Sequence, residues 1–127
     1  MKRKLKNILA MLLAVMLIFS ATPATASAAG RKVTLTQISS PAYNKINIKW
    51  NRTSNATHYK IYYKKAGAGQ WTSLATVSGS ATSYTHTSSK SRPVTPGQKY
   101  TYTVRGYNSR YKTYGSYDSR GLTTYTK

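Results

Sequence analysis

"RPVTPGQKYTYTVRGYNSR", residues 92–110, alternates from Lys99 to Tyr107 with a period of two. That period is the mark of a strand with one buried face. Tyr100, Tyr102, Val104 and Gly106 fall on one side; Thr101, Thr103, Arg105 and Tyr107 fall on the other. Bases interleaved with aromatics also suit a stacking platform for single-stranded nucleic acid. As a central strand instead, the segment would bury tyrosine as its core residue. The two readings imply different functions, and the surrounding sequence discriminates between them.

Six more alternating segments flank this one, each bounded by Gly, Pro, Ser or Asn. They are Val33–Ile38, Lys45–Trp50, Tyr59–Lys64, Trp71–Val77, Thr82–Thr87 and Asp118–Tyr125. β-Branched and aromatic residues dominate them, as half-buried pleated surfaces favour, and no segment repeats at helical spacing. The predicted core comprises Ile46, Ile48, Trp50, Tyr59, Ile61, Tyr84, Tyr100, Tyr102 and Val104. Strands this short, with turn signals every 8–12 residues or so, predict an all-β, seven-stranded antiparallel immunoglobulin-like sandwich. The domain is expected to span residues 32–126, with no internal repeat and no linker long enough to divide it.

Five elements, in order, carry a resemblance. "INIKW" resembles the tryptophan strand of fibronectin type III modules, and "ATHYKIYYKK" their third strand. "TSYTHT" followed by "VTPGQKYTYTVRGYN" is similar to the family's "TSYT…LxPGxxYxxxVxAxN", with Val94 at the usual Leu and Pro96-Gly97 at the turn. "YGSYDS" resembles the entry to the last strand. The likeness covers roughly residues 32–125, in the manner of modules from secreted bacterial surface proteins and polysaccharide-degrading enzymes. It implies a tyrosine corner at Tyr100, its hydroxyl on nearby backbone. The spacer "HTSSKSRPV" is longer and more basic than the family's, and acidic residues are nearly absent.

The N-terminus reads differently. MKRKLKN is basic, Ile8–Phe19 is a run of 12 mostly apolar residues, and A-x-A sites follow. A spanning helix needs roughly 20 apolar residues, so residues 1–28 read as a secretory signal peptide, cleaved after Ala28 or after Ala26. Export to the cell exterior is expected, without a transmembrane span in the mature form, anchoring tail or wall-sorting motif, and with charge as a means of surface association. The mature chain of about 99 residues has no cysteine, so packing and ladder hydrogen bonds must hold it.

Charge is the unusual feature. The sequence has 20 Lys and Arg against one acid, Asp118; outside the leader 16 bases remain, a net of +15. Such a surface attracts polyanions in a salt-sensitive way. The same inventory leaves little for catalysis. Sugar hydrolysis by paired carboxylates needs two acids. His58, at a loop-to-strand junction, and His86, read as outward-pointing, have no nucleophile motif or further metal ligands beside them. No catalytic residue, cofactor site or metal site is predicted, and the chain is read as a non-catalytic module.

In such a sandwich the third and sixth strands adjoin. Their outer residues Lys60, Tyr62, Lys64, Arg105 and Tyr107, joined by Arg110, Tyr111 and Lys112 of the following loop, form the candidate binding face, with Tyr114 nearby. Tyrosine offers a flat apolar body with a polar tip, and Lys and Arg attract phosphate or carboxylate. The expected partner is an anionic cell-wall polymer, glycan or protein. Alternatives are a passive spacer without its own ligand, or a cationic nucleic-acid or membrane-active protein, with nucleic acid bound only non-specifically.

Overall fold

The opening segment becomes β6 (Lys99–Asn108), the central strand of one of two antiparallel sheets. A computed structural model describes residues 31–127; the expected leader and both cleavage points lie outside them. The other strands are β1 (Leu35–Ala42), β2 (Lys45–Trp50), β3 (His58–Lys65), β4 (Thr72–Ser78), β5 (Ser83–Thr87), β7 (Thr113–Tyr117) and β8 (Leu122–Tyr125). One sheet has the order β1-β2-β5. The other has the order β4-β3-β6-β7, with β8 also paired to β6.

The structure thus has eight strands where seven are predicted: the expected last strand, Asp118–Tyr125, shortens to β8, and β7 precedes it where loop is expected. β8 pairs with the first half of β6 (Tyr102 opposite Leu122) and β7 with the second half (Arg105 opposite Tyr117). Asp118–Gly121 crosses between them. The Asp118 carboxylate accepts from the Arg120 and Gly121 amides at 2.9 and 3.3 Å. Gly121 sits at φ +63, and a Cβ there would run into the Tyr102 carbonyl. Only glycine fits that crossing. The sequence predicts a loop over 108–116, since Gly115 and Ser116 interrupt the strand-like residues.

Between the sheets lie Ile46, Ile48, Trp50, Tyr59, Ile61, Tyr63, Tyr100, Tyr102 and Val104, all buried. Trp50 packs against Tyr59 at 5.6 Å between ring centroids. A buried phenol needs a partner for its hydroxyl, and each of the four buried tyrosines has one. The Thr53 amide donates to Tyr59 at 2.7 Å, and the Thr95 amide to Tyr100 at 2.8 Å. Tyr63 donates to the Pro93 carbonyl at 3.2 Å, and Tyr102 meets His86 Nδ1 at 2.6 Å.

Three expectations need correction. His86 faces inward and is 2 % exposed, because it shares strand parity with Tyr84 and both point at β2's buried side, opposite Ile46 and Ile48. Tyr84 itself is half-buried and packs against the core from edge strand β5. Thr101 and Thr103 point outward yet are buried. The space above them is occupied by Trp71 and the Asp118–Gly121 crossing; Thr103 donates to the Asp118 carbonyl at 2.7 Å and Thr101 shares a hydrogen bond with Thr123.

The basic spacer folds into a hook. Ser88 and Ser89 side chains accept from the Val94 and Arg92 amides, and Val94 is buried. Arg92 Nε then donates to the Ser73 carbonyl on β4 at 2.7 Å. β1 enters beside Trp50 (Leu35 opposite Trp50), and the Lys127 amide donates to Ser40 near the other end of β1. The two ends of the domain thus lie toward opposite poles.

Candidate binding face on the five-stranded sheet

The outer side of β3, β6 and β7 collects aromatics and cations in register. Lys60 is opposite Arg105, Tyr62 opposite Thr103, Lys64 opposite Thr101, and His58 opposite Tyr107. Two like charges directly across a sheet repel, and no acid relieves Lys60 and Arg105. A ring does so in part. Tyr114 lies 4.7 Å from the Arg105 guanidinium and 5.9 Å from the Lys60 ammonium, both over its face. Each such contact contributes about 0.5–1 kcal/mol at an exposed site.

Tyr117 takes the other side of Arg105, at 5.2 Å. Tyr117 meets Trp71 edge-to-face at 6.5 Å, and Lys64 lies 4.5 Å over the Trp71 ring. In the other direction Tyr107 packs on Tyr114 at 4.7 Å, and His58 follows at 6.3 Å. The result is one ladder across the sheet: Lys64, Trp71, Tyr117, Arg105, Tyr114, Tyr107, His58. Tyr62, Trp71, Arg105 and Tyr117 line a cleft of about 70 Å³ within it.

Lys60, Tyr62, Lys64, Arg105 and Tyr107 are brought together as their shared face requires. Arg110, Tyr111 and Lys112 occupy the β6–β7 turn instead. There Asn108 Oδ1 accepts from the Arg110 and Tyr111 amides at 2.9 and 3.1 Å, Lys112 takes φ +52, and Arg110 stacks on Tyr111. Sequence reasoning missed Trp71 and Tyr117. Trp71 reaches this face through a bulge: Ile61 is opposite Ala75 but Tyr62 is opposite Ser73, so Leu74 is an extra residue. Uninterrupted alternation from Ala75 would turn Trp71 inward, and one extra residue reverses it. Tyr117 was reachable in principle, at an i+3 step from Tyr114 across the Gly115-Ser116 irregularity.

The opposite outer face is different in kind. Lys45, Asn47 and Lys49 on β2 stand opposite Thr87, Thr85 and Ser83, and Asn47 bonds both Ser83 and Thr85. Tyr43 is exposed in the β1–β2 turn, but among the described residues no ring stacks on these side chains. Among the described residues no group of three His, Cys, Asp or Glu could hold a metal, and no helix is long and apolar enough to cross a membrane.

No family model and no curated protein matches the chain. Solved structures do. The FN1–FN3 domains of chicken CNTN1 superpose with a TM-score of 0.63 at 19 % identity, over 77 % of this chain and 31 % of that one. The fn3 domain of human contactin 1 gives 0.60 at 18 %, over 78 % and 80 %. The fold is that of a fibronectin type III domain. A β-1,2-glucanase from Parabacteroides distasonis contains a similar region, with a TM-score of 0.62 at 20 % identity, over 76 % of this chain and 12 % of that one. This chain thus spans under a third of the CNTN1 fragment and a smaller share of the glucanase. Within the fibronectin type III fold, the aromatic ladder lies on the sheet that carries β3, β6 and β7.

Proposed function

We propose that this chain is a secreted, non-catalytic fibronectin type III module that binds an anionic extracellular partner, a cell-wall polymer, glycan or protein, through the outer face of β3, β6 and β7. The observation that carries this reading is Lys60 facing Arg105 across a tyrosine ring, in a chain whose only acid is spent on a turn. An anion placed there relieves the repulsion, so binding is favoured by structure already formed. The leader-like N-terminus supports export, to where such polymers are met. The occurrence of similar domains within much longer chains, a glucanase among them, favours a second reading, a spacer without its own ligand.

Charge-matched variants separate these. The purified protein is applied to anionic cell-wall material at about 50 mM salt, where polyanion contacts are strong. Lys60→Gln with Lys64→Gln is expected to weaken retention about tenfold, the equivalent of roughly 1.4 kcal/mol. Lys45→Gln with Lys49→Gln, on the other sheet, is expected to change it little. Equal losses would reduce the effect to net charge. No retention of the wild type would leave the spacer reading, and tight binding to DNA alone at physiological salt would favour the nucleic-acid reading.

A further inference from the structure

Arg105 is held differently from the other bases of this face. Its guanidinium lies between the rings of Tyr114 and Tyr117, at 4.7 and 5.2 Å. Its Nε is fixed by donation to the Gly115 carbonyl at 3.1 Å. Among the described residues Nη1 and Nη2 have no acceptor. They form the end of a fork whose position is set by two rings and a backbone bond before any ligand arrives. Arginine forks of this kind match a flat carboxylate with two parallel bonds. Pinning the side chain in advance also removes much of the ordering cost of binding.

The same guanidinium lines the cleft with Tyr62, Trp71 and Tyr117. At about 70 Å³ the cleft is a small recess with room for several water-sized groups. It has room for a pendant carboxylate, and its open side leaves the ring that bears it against the aromatic walls. Its other walls are aromatic, suited to the apolar C–H faces of a sugar bearing that group. Lys64, 4.5 Å over the Trp71 ring, adds a second positive charge at the rim. The sequence's one acidic side chain does not compete for the fork, since Asp118 caps the turn beyond β7.

We infer that this cleft is a carboxylate site for an acidic saccharide, with Arg105 gripping the carboxylate of a uronic-acid residue and Trp71 and Tyr117 contacting its ring. The inference rests on the binding role proposed above and narrows it to one ligand chemistry and one anchoring residue.

The probes are a uronic-acid oligosaccharide, its neutral counterpart and glycerol phosphate, titrated into the purified protein and followed by Trp71 emission against the constant background of buried Trp50. The acidic oligosaccharide is expected to saturate, with the neutral one at least tenfold weaker. Arg105→Lys keeps the charge and loses the fork. It is expected to weaken the acidic oligosaccharide at least tenfold and to remove its advantage over the neutral one. Tyr117→Ser, which removes one wall and one side of the clamp, is expected to act in the same direction. Unchanged affinity in both variants, no saturation by the wild type, or glycerol phosphate binding as tightly as the uronate would each overturn the site. The broader binding role would still stand or fall on the Lys60 and Lys64 result.

Discussion

His86 shows how much one buried polar residue can decide. Its Nε2 lies 2.9 Å from the Arg92 carbonyl and its Nδ1 2.6 Å from the Tyr102 hydroxyl, with the Tyr63 ring edge-on at 4.6 Å. Those partners suit a neutral ring with the proton on Nε2 and Tyr102 donating to Nδ1. Burial holds its pKa below the usual histidine range; the bond to the Arg92 carbonyl opposes this and the Arg92 charge adds to it. As pH falls, the unfolded chain therefore takes up the proton first. This contribution to stability is complete above about pH 6.5 and shrinks below it, toward the folded-state value. Urea midpoints taken between about pH 7.5 and about pH 5 are expected to fall with acidity, and His86→Gln is expected to flatten that slope. A midpoint that rises on acidification would contradict the assignment. The tyrosines on β6 were legible from alternation alone, because both Tyr100 and Tyr102 follow the period of the strand. His86 obeys the same rule as Tyr84, and its polarity obscured it: an inward histidine is credible only once Arg92 and Tyr102 are seen to satisfy it.

Among the elements, regular strands were readable and their irregularities were not. β2, β3 and β6 carry clean alternation, and their buried faces follow directly. The bulge at Leu74 leaves no sign in "WTSLATV", since Thr, Ser and Ala fit either side of a sheet. It nevertheless moves Trp71 from the core to the ladder, which is why that wall of the cleft lay beyond sequence reasoning. The break between β7 and β8 is encoded more openly, in Asp118 and Gly121, but only the sheet shows that both pieces share one edge of β6. Gly121→Ala tests that crossing. A left-handed backbone and a clash with the Tyr102 carbonyl are expected to cost about 1–3 kcal/mol, read as a lower denaturation midpoint. Because Trp71 lies close to the added methyl, its emission should shift in the same variant. A variant as stable as wild type would mean that the crossing relaxes freely.

At the scale of the whole molecule, 16 bases and a single acid in residues 31–127 leave the fold without internal charge balance. Hydrophobic packing and ladder bonds must outweigh self-repulsion that salt screens over roughly 10 Å at 0.1 M. Thermal midpoints are thus expected to rise between about 20 mM and about 300 mM NaCl, the opposite of what a domain held by ion pairs would do. A midpoint that fell over that range would show repulsion to be minor. The placement of the two ends has a mechanical meaning. A pull applied at both poles drags β1 and β8 along their own axes, so their ladder bonds with β2 and β6 bear load side by side and must yield together. A strand peeled from its end gives way one bond at a time; this one would resist in shear, and single-molecule stretching from the two ends would register that as one abrupt rupture.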